Sequence, residues 1–137
     1  MYAEKMIRGI PNPQWIDSEG RPSGELFQFD ESARVPEFSE LSINWCDDDG
    51  AIEQLFSQQK KDGTIQFKVG AAIIPRSSLE FLINQPLYKG LIKYDRDKLP
   101  DNDYHGNILR KSDLPKATRN IIAQSIAITV EAIILRK

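Results

Sequence analysis

Residues 41–56, Leu41-Ser42-Ile43-Asn44-Trp45-Cys46-Asp47-Asp48-Asp49-Gly50-Ala51-Ile52-Glu53-Gln54-Leu55-Phe56, change their hydrophobic period in mid-stretch. Leu41, Ile43 and Trp45 alternate with Ser42 and Asn44, the period that lets a half-buried strand put one row of side chains into a core. Ala51, Ile52, Leu55 and Phe56 then recur with the spacing of one helix face. Between the two runs stand three aspartates and a glycine. Carboxylates favour that place because they complement the partial positive charge of the free N–H groups in a helix's first turn. Lys60 and Lys61 suit the C-terminal end and Asp62-Gly63 a stop, so the pattern predicts a helix near 48–60. A strand running straight into a helix points to an α+β fold.

Towards the C-terminus, Thr64 to Ile74 reads as a central strand, with Gly70-Ala71-Ala72 leaving room for close packing. Ser78 to Ile83 reads as one or two helical turns before Pro86, Leu87 to Tyr94 as a strand, and Asp95 to Tyr104 as a polar loop closed by Pro100. His105 to Leu109 reads as a final short strand. Asp113-Leu114-Pro115 opens a second helix, predicted near 114–128, because proline's missing N–H is harmless in a first turn. Residues 128–135 fit both periods: Ile128, Val130, Ala132 and Ile134 alternate, while Ile126, Val130, Ile133 and Ile134 share a helix face. Towards the N-terminus, Pro11, Pro13, Pro22 and Pro36 exclude long helices, and the first forty or so residues read as irregular. Glu19 to Gly24 is a turn-rich loop, and Leu26-Phe27-Gln28-Phe29 a short apolar run of β-forming aromatics. The expected fold is one α+β domain over 1–137, a small mixed or antiparallel sheet with about two main helices.

The chain has 18 basic and 20 acidic side chains, a net charge of −2, which argues against nucleic-acid binding over a whole surface. Its single cysteine, Cys46, has no internal disulfide partner and lies at the end of an apolar stretch, where a thiol packs as a small inert hydrophobe. The first residues, Met1-Tyr2-Ala3-Glu4-Lys5-Met6, carry an acid where a secretory leader needs a basic segment. The longest uncharged stretch, Ile121 to Val130, is too short and too polar to span a bilayer. These features predict a cytoplasmic protein without membrane association.

Asp101-Asn102-Asp103-Tyr104-His105-Gly106-Asn107 is the best-marked candidate site, because it holds the only histidine. Histidine exchanges protons near neutral pH, and Asn102 or Asp103 would fix its tautomer. Gly106 permits close backbone approach to a ligand. An Asp- and Asn-rich stretch after proline is also how an ordinary turn looks. Gly20-Arg21-Pro22-Ser23-Gly24 has the ingredients of an anion grip, in which Arg21 and Ser23, with Asn107, would bind ligand and Arg21 would assist His105 in catalysis. One histidine and one cysteine do not make a zinc site, and Asp47-Asp48-Asp49-Gly50 lacks the alternate acids of a calcium loop, so no metal or cofactor is expected. Arg110, Lys111, Lys116 and Arg119 form a modest basic run, read as the solvent face of the last helix. Trp15 and Trp45 read as core anchors.

Three of these blocks occur together. Gly20-Arg21-Pro22-Ser23, Leu41-Ser42-Ile43-Asn44 and Pro100-Asp101-Asn102-Asp103-Tyr104-His105 resemble, in this order, the R-P-S turn, the L-S-V/I strand and the P-x-N-x-x-H segment of a loose family of small uncharacterised bacterial proteins. The departures are Gly24, where that pattern has Ser or Ala, and Gly106, where it has Ala. The resemblance implies bacterial origin and one shared domain, and it carries no catalytic roles.

Without a complete catalytic motif, the first functional reading is an accessory or protein-interaction module. Its partner would be another protein or a second copy of the chain, met by an apolar tail from Ile126 to Leu135 that exceeds what one small core buries. The alternative is a small enzyme or binder for a phosphorylated or nucleotide-like ligand. That reading requires the Arg21 and His105 loops to meet in space.

Overall fold

The computed structural model describes residues 2–136. Seven strands, β1 (Lys5–Ile10), β2 (Asp30–Glu31), β3 (Phe38–Trp45), β4 (Gly70–Pro75), β5 (Ile92–Arg96), β6 (His105–Lys111) and β7 (Ala132–Leu135), form one sheet. Its order is β5-β6-β3-β1-β4-β7, with β2 on β3 beside β1, and every pairing is antiparallel. Three helices complete the described residues: α1 (Gly50–Ser57), α2 (Arg76–Ile83) and α3 (Lys116–Thr129). The expected α+β class with an antiparallel sheet is what the chain adopts.

The alternation read from residues 41–45 sets the sheet's two sides. Leu41, Ile43 and Trp45 point to a main core with Met6 and Ile10 of β1, Ala72 and Ile74 of β4, and Ile108 of β6. Over them lie Leu79 of α2, Ile122, Ala123 and Ile126 of α3, and Leu26 and Phe27 of a 3₁₀ turn at Gly24–Phe27. The opposite side carries a smaller core, in which Ile7 and Ala71 meet Leu55 of α1 and Phe67. Burying a side chain of this size contributes about 2 kcal/mol, so the larger helical layer carries most of the stabilisation.

Several elements depart from the sequence reading. The N-terminal region is not irregular throughout, because Lys5–Ile10 is an interior strand between β3 and β4. Its Met6 and Ile10 face one core and Ile7 the other, so the alternation that marks a half-buried strand is absent. The first helix ends at Ser57 and not near 60. Lys60-Lys61-Asp62-Gly63 is a tight turn instead: the Gly63 N–H donates to the Lys60 carbonyl at 2.9 Å, and Gly63 takes a φ of 85°. The strand predicted from Thr64 begins only at Gly70, because Phe67 turns back over Gly9, where a Cβ would stand 2.3 Å from its ring. Leu26 and Phe27 lie in the 3₁₀ turn. The strand expected at 87–94 starts at Ile92 and runs on through Asp95 and Arg96. Residues 128–135 satisfy both periods in succession, as α3 ends at Thr129 and β7 begins at Ala132.

One edge of β3 pairs with β6 from Phe38 to Asn44. The other is shared: β2 takes Ser39 and Glu40, and β1 takes Asn44 and Trp45. The Ser42 carbonyl lies in the gap, and Arg8 fills it. Its Nη1 donates to Ser42 O at 3.0 Å and its Nε to Leu26 O at 3.2 Å. Burial pulls this guanidinium down to about 10, against the opposing pull of Asp30, so it remains a cation at neutral pH. Gly106 answers a second constraint. A Cβ there would stand 2.2 Å from Trp45 Nε1 and 2.4 Å from the Asp95 carbonyl, the two atoms joined by a 3.0 Å hydrogen bond. The alanine of the resembling pattern therefore does not fit beside this tryptophan. At Gly24 the neighbour is Gln124 Cγ at 3.2 Å, a flexible group that can yield.

Two stability predictions follow from these contacts. Arg8→Ala should cost about 2 kcal/mol in urea unfolding, the loss of two bonds from a charged donor, with Arg8→Lys recovering less than half because one ammonium cannot span both carbonyls. Gly106→Ala should cost roughly 2–3 kcal/mol and shift the Trp45 fluorescence, since the ring must leave the Asp95 carbonyl.

Candidate functional site

Alternation along β5 and β6 puts Asp95, Asp97, His105 and Asn107 on the sheet side that carries α1. His105 lies opposite Asn44 of β3, and its Nδ1 is 2.8 Å from the Asp97 carbonyl oxygen and 3.7 Å from Asp97 Oδ2. A carbonyl only accepts, so Nδ1 carries the proton and Nε2 of the neutral ring holds the lone pair. Asp97 therefore orients the histidine, a role the sequence reading assigned to Asn102 or Asp103.

Asn102 does other work. Its Nδ2 donates to Asn44 Oδ1 at 2.8 Å, and its Oδ1 accepts from the Tyr104 N–H at 3.0 Å. Asn44, also buried, donates to the Ala51 carbonyl at 3.0 Å and to Gln54 Oε1 at 2.9 Å in α1. Tyr104 Oη donates to Asp48 Oδ1 at 2.8 Å, next to Gly50, where a Cβ would collide with the phenol. The histidine loop is thus riveted to the start of α1 by buried amides whose donors and acceptors match. Asp101 and Asp103 are exposed on its outer side.

Arg34, from the loop between β2 and β3, closes the polar cluster. Its Nη2 is 2.7 Å from Asp95 Oδ2 and its Nε 3.3 Å from Asp97 Oδ2, and these carboxylates raise the guanidinium's pKa against the effect of burial. Asn107 is fully buried between Asp95 and Arg34. With its amide oxygen turned to the guanidinium it accepts from Nη2 at 3.1 Å and donates to the Gly106 carbonyl at 3.2 Å. Sequence reasoning missed Arg34 and Asn44. The pattern Asp95-x-Asp97 beside His105-x-Asn107, two pairs at strand spacing, was the available signal.

Arg21 lies on the other side of the sheet. With Asp17, Pro22, Gly24, Gln124, Ala127 and Ile128 it lines a depression of about 250 Å³ against α3, in the layer that covers the main core. Its loop is held from within, since Asp17 Oδ1 accepts the N–H groups of Glu19 and Arg21, each at 2.9 Å. Ser23 precedes the 3₁₀ turn without capping it, and its Oγ is buried with no hydrogen-bond partner among the described residues. The structure thus brings His105 and Asn107 onto one strand and Arg21 and Ser23 into one loop, but it does not bring the two groups together.

A second depression, about 450 Å³, is lined by Tyr2, Ala3, Glu4, Lys5, Cys46 and Asp47. Burial, helped by Asp47, pushes the Cys46 thiol up to about 11, which disfavours the thiolate at neutral pH. The basic run is also divided. Arg110 is buried over the Phe29 ring, its pKa lowered by burial and by Arg119, while Lys111 points to the opposite side against Phe38. Among the described residues no helix is long and apolar enough to cross a membrane.

What this arrangement offers chemically is one histidine nitrogen, Nε2, beside an Arg34–Asp95–Asp97 group in which one guanidinium serves two carboxylates and one negative charge is left over. In nitrogen-15 NMR of the neutral ring, His105 should show the tautomer protonated at Nδ1, in contrast to the Nε2–H form that free imidazoles favour. A spectrum dominated by Nε2–H would contradict the bond to the Asp97 carbonyl. In comparisons with family models, curated proteins and solved structures, the chain matches none of them.

Proposed function

We propose that this chain is a protein-interaction module, bacterial and cytoplasmic, that binds through the outer surface of its helical layer. The observation that carries the reading is the apolar character of that surface. Phe81 of α2, Leu87 just after it, and Ile128 of α3 are 71, 70 and 75 % exposed. Ile121, two turns before Ile128 on the same side of α3, is exposed as well. The Tyr88 Oη–Ser125 Oγ bond at 2.8 Å holds the segment after α2 against α3, which keeps Leu87 and the isoleucine row in one layer. Covering each such side chain contributes on the order of 2 kcal/mol, enough in sum to offset the cost of association for a modest complex. The bacterial, cytoplasmic setting rests on the three resembling sequence blocks and on the lone unpaired thiol.

The catalytic alternative is weakened by the separation of Arg21 from His105 and by the carboxylates that occupy Arg34. It retains one favourable feature, the Nε2 of His105, which has no hydrogen-bond partner among the described residues.

A photo-crosslinking side chain introduced at Ile128 or Phe81 tests the interaction reading in an extract of the source cells. Adducts of discrete mass are expected at both positions, and they should weaken at least tenfold with Ile121→Glu, which places a charge in the contact. A crosslinker at Lys60, outside the helical layer, should give none. Adducts that are absent, or equal at Lys60, would falsify the proposal. Binding of a phosphorylated small molecule abolished by both Arg21→Ala and His105→Ala would favour the alternative.

A further inference from the structure

A short connection, Ser112 to Pro115, joins β6 to α3, so the end of that strand and the first turn of that helix stand close together. Each brings an arginine to the space between them. Arg110 stands opposite Ile92 of β5 and two residues beyond Ile108, both in the main core, and alternation turns it to the same side. Its side chain is buried there, with the residue only 6 % exposed. Arg119 precedes Ile122 and Ile126 at the spacing of one helix face, and those two are buried in the main core. Arg119 therefore belongs to the inward face of α3, turned towards the sheet, and is exposed at the end of the layer.

Arg110 is held in one orientation. Its guanidinium carbon lies 5.0 Å from the centroid of the Phe29 ring, and its Nη1 donates to the Lys111 carbonyl at 2.8 Å. Nε and Nη2 have no partner among the described residues. They are not sealed off either, since Ser23 Oγ is the one side-chain polar atom there that is both buried and unbonded. Nε and Nη2 form the edge of the guanidinium that takes two oxygens of one anion side by side.

No carboxylate answers these charges. Among the described residues neither arginine forms an ion pair, and the acid in Arg110's row of the sheet, Glu31 opposite Ser39, reaches neither. Burial and the neighbouring Arg119 both hold the Arg110 guanidinium below the usual arginine range, although it stays charged at neutral pH. Arg119 lies in the first turn of α3, where the helix itself adds partial positive charge. Arg8 is the contrast: its Nε and Nη1 both meet carbonyls, and Asp30 acts as its counter-charge. A buried cation is costly unless paired, and a like charge beside it adds to the cost.

We propose that Arg110 and Arg119 bind a phosphate group between the start of α3 and the sheet. The Nε–Nη2 edge of Arg110 is the fixed half of the grip, and the exposed Arg119 closes on it. Charge selects phosphate over carboxylate. A phosphate monoester carries about two negative charges at neutral pH and so answers both guanidiniums, whereas a carboxylate would leave one unanswered. The site uses neither Arg21 nor His105, and it does not depend on the apolar outer surface of the helical layer.

The test is a titration with inorganic phosphate, followed by the Arg110 Nε–H signal in nitrogen-15 NMR. A saturable shift is expected, with a Kd on the order of 1 mM, and none with sodium chloride at matched ionic strength. Phosphate at roughly ten times that Kd should raise the unfolding midpoint by about 3–5 °C. Arg119→Gln should weaken binding by about tenfold or more. In chloride its unfolding midpoint should be no lower than that of the parent chain, because a like-charge contact has been relieved. Arg110→Met should abolish the rise in midpoint. Lys89→Gln, the same loss of charge at an exposed position after α2, should bind phosphate as the parent does. Phenyl phosphate that binds as tightly as inorganic phosphate assigns the site to the ester end of a larger ligand, and binding of the inorganic ion alone assigns it to free phosphate. An Arg110 signal that phosphate leaves unmoved overturns the proposal, as does an equal shift in chloride. Binding that is unchanged in a folded Arg119→Gln protein overturns it too.

Discussion

The Ser42 carbonyl lies on the stretch of β3 that no strand reaches on one side, and the Arg8 guanidinium is what satisfies it. Much of the architecture depends on that substitution of a side chain for a strand. β1 must leave β3 after Ile7 to stay paired with β4 along its whole length, and β2 must approach β3 from the other end. The gap would otherwise leave that carbonyl without a hydrogen-bond partner among the described residues. Because the same guanidinium bonds Leu26, it also anchors the 3₁₀ turn that α3 packs against. An arginine without a close carboxylate keeps its charge here through two carbonyl dipoles and the more distant Asp30.

How much of this was legible follows from what each element buries. The strand at 41–45 and the helix after it were readable because each presents one buried and one exposed side, and a one-sided pattern is what periodicity detects. β1 was not, because Met6, Ile7 and Ile10 serve two cores and Arg8 interrupts them with a charge that points inward. The run from Lys60 to Gly63 was legible as a stop but ambiguous in kind, since Asp-Gly ends helices and makes turns by the same positive φ. The tail at 128–135 looked like both helix and strand because it is one and then the other.

The candidate site was legible as a place but not as a mechanism. The loop at 101–107 stood out for its histidine, and that histidine is fixed in geometry and tautomer. Its neighbours, however, serve the fold: Asn102 and Asn44 match amide to amide, and Tyr104 reaches Asp48. Such a network is specific because each member has one orientation that satisfies the rest, and an unmatched buried amide would be costly. Composition alone does not separate a polar cluster that holds a helix in place from one that holds a ligand. Of the residues that decide it, Asp97 lies just before the loop, but Arg34 is distant in sequence from Asp97 and from the loop's own asparagines.

The distribution of polarity carries the functional argument furthest. The sheet side facing α1 combines a small apolar core with a polar group whose one guanidinium is already held by two carboxylates. The helical side buries the large core, yet its outer surface and the adjoining β7 edge remain apolar and unguarded. A chain selected only to stay monomeric could place a lysine at Ile128 or Leu135 at small cost, since both side chains are mostly in water. Keeping apolar groups there forgoes solubility without adding to the core. On the proposed interaction reading a partner covers them, and this surface, not the histidine loop, is where the sequence departs most from what its own fold requires.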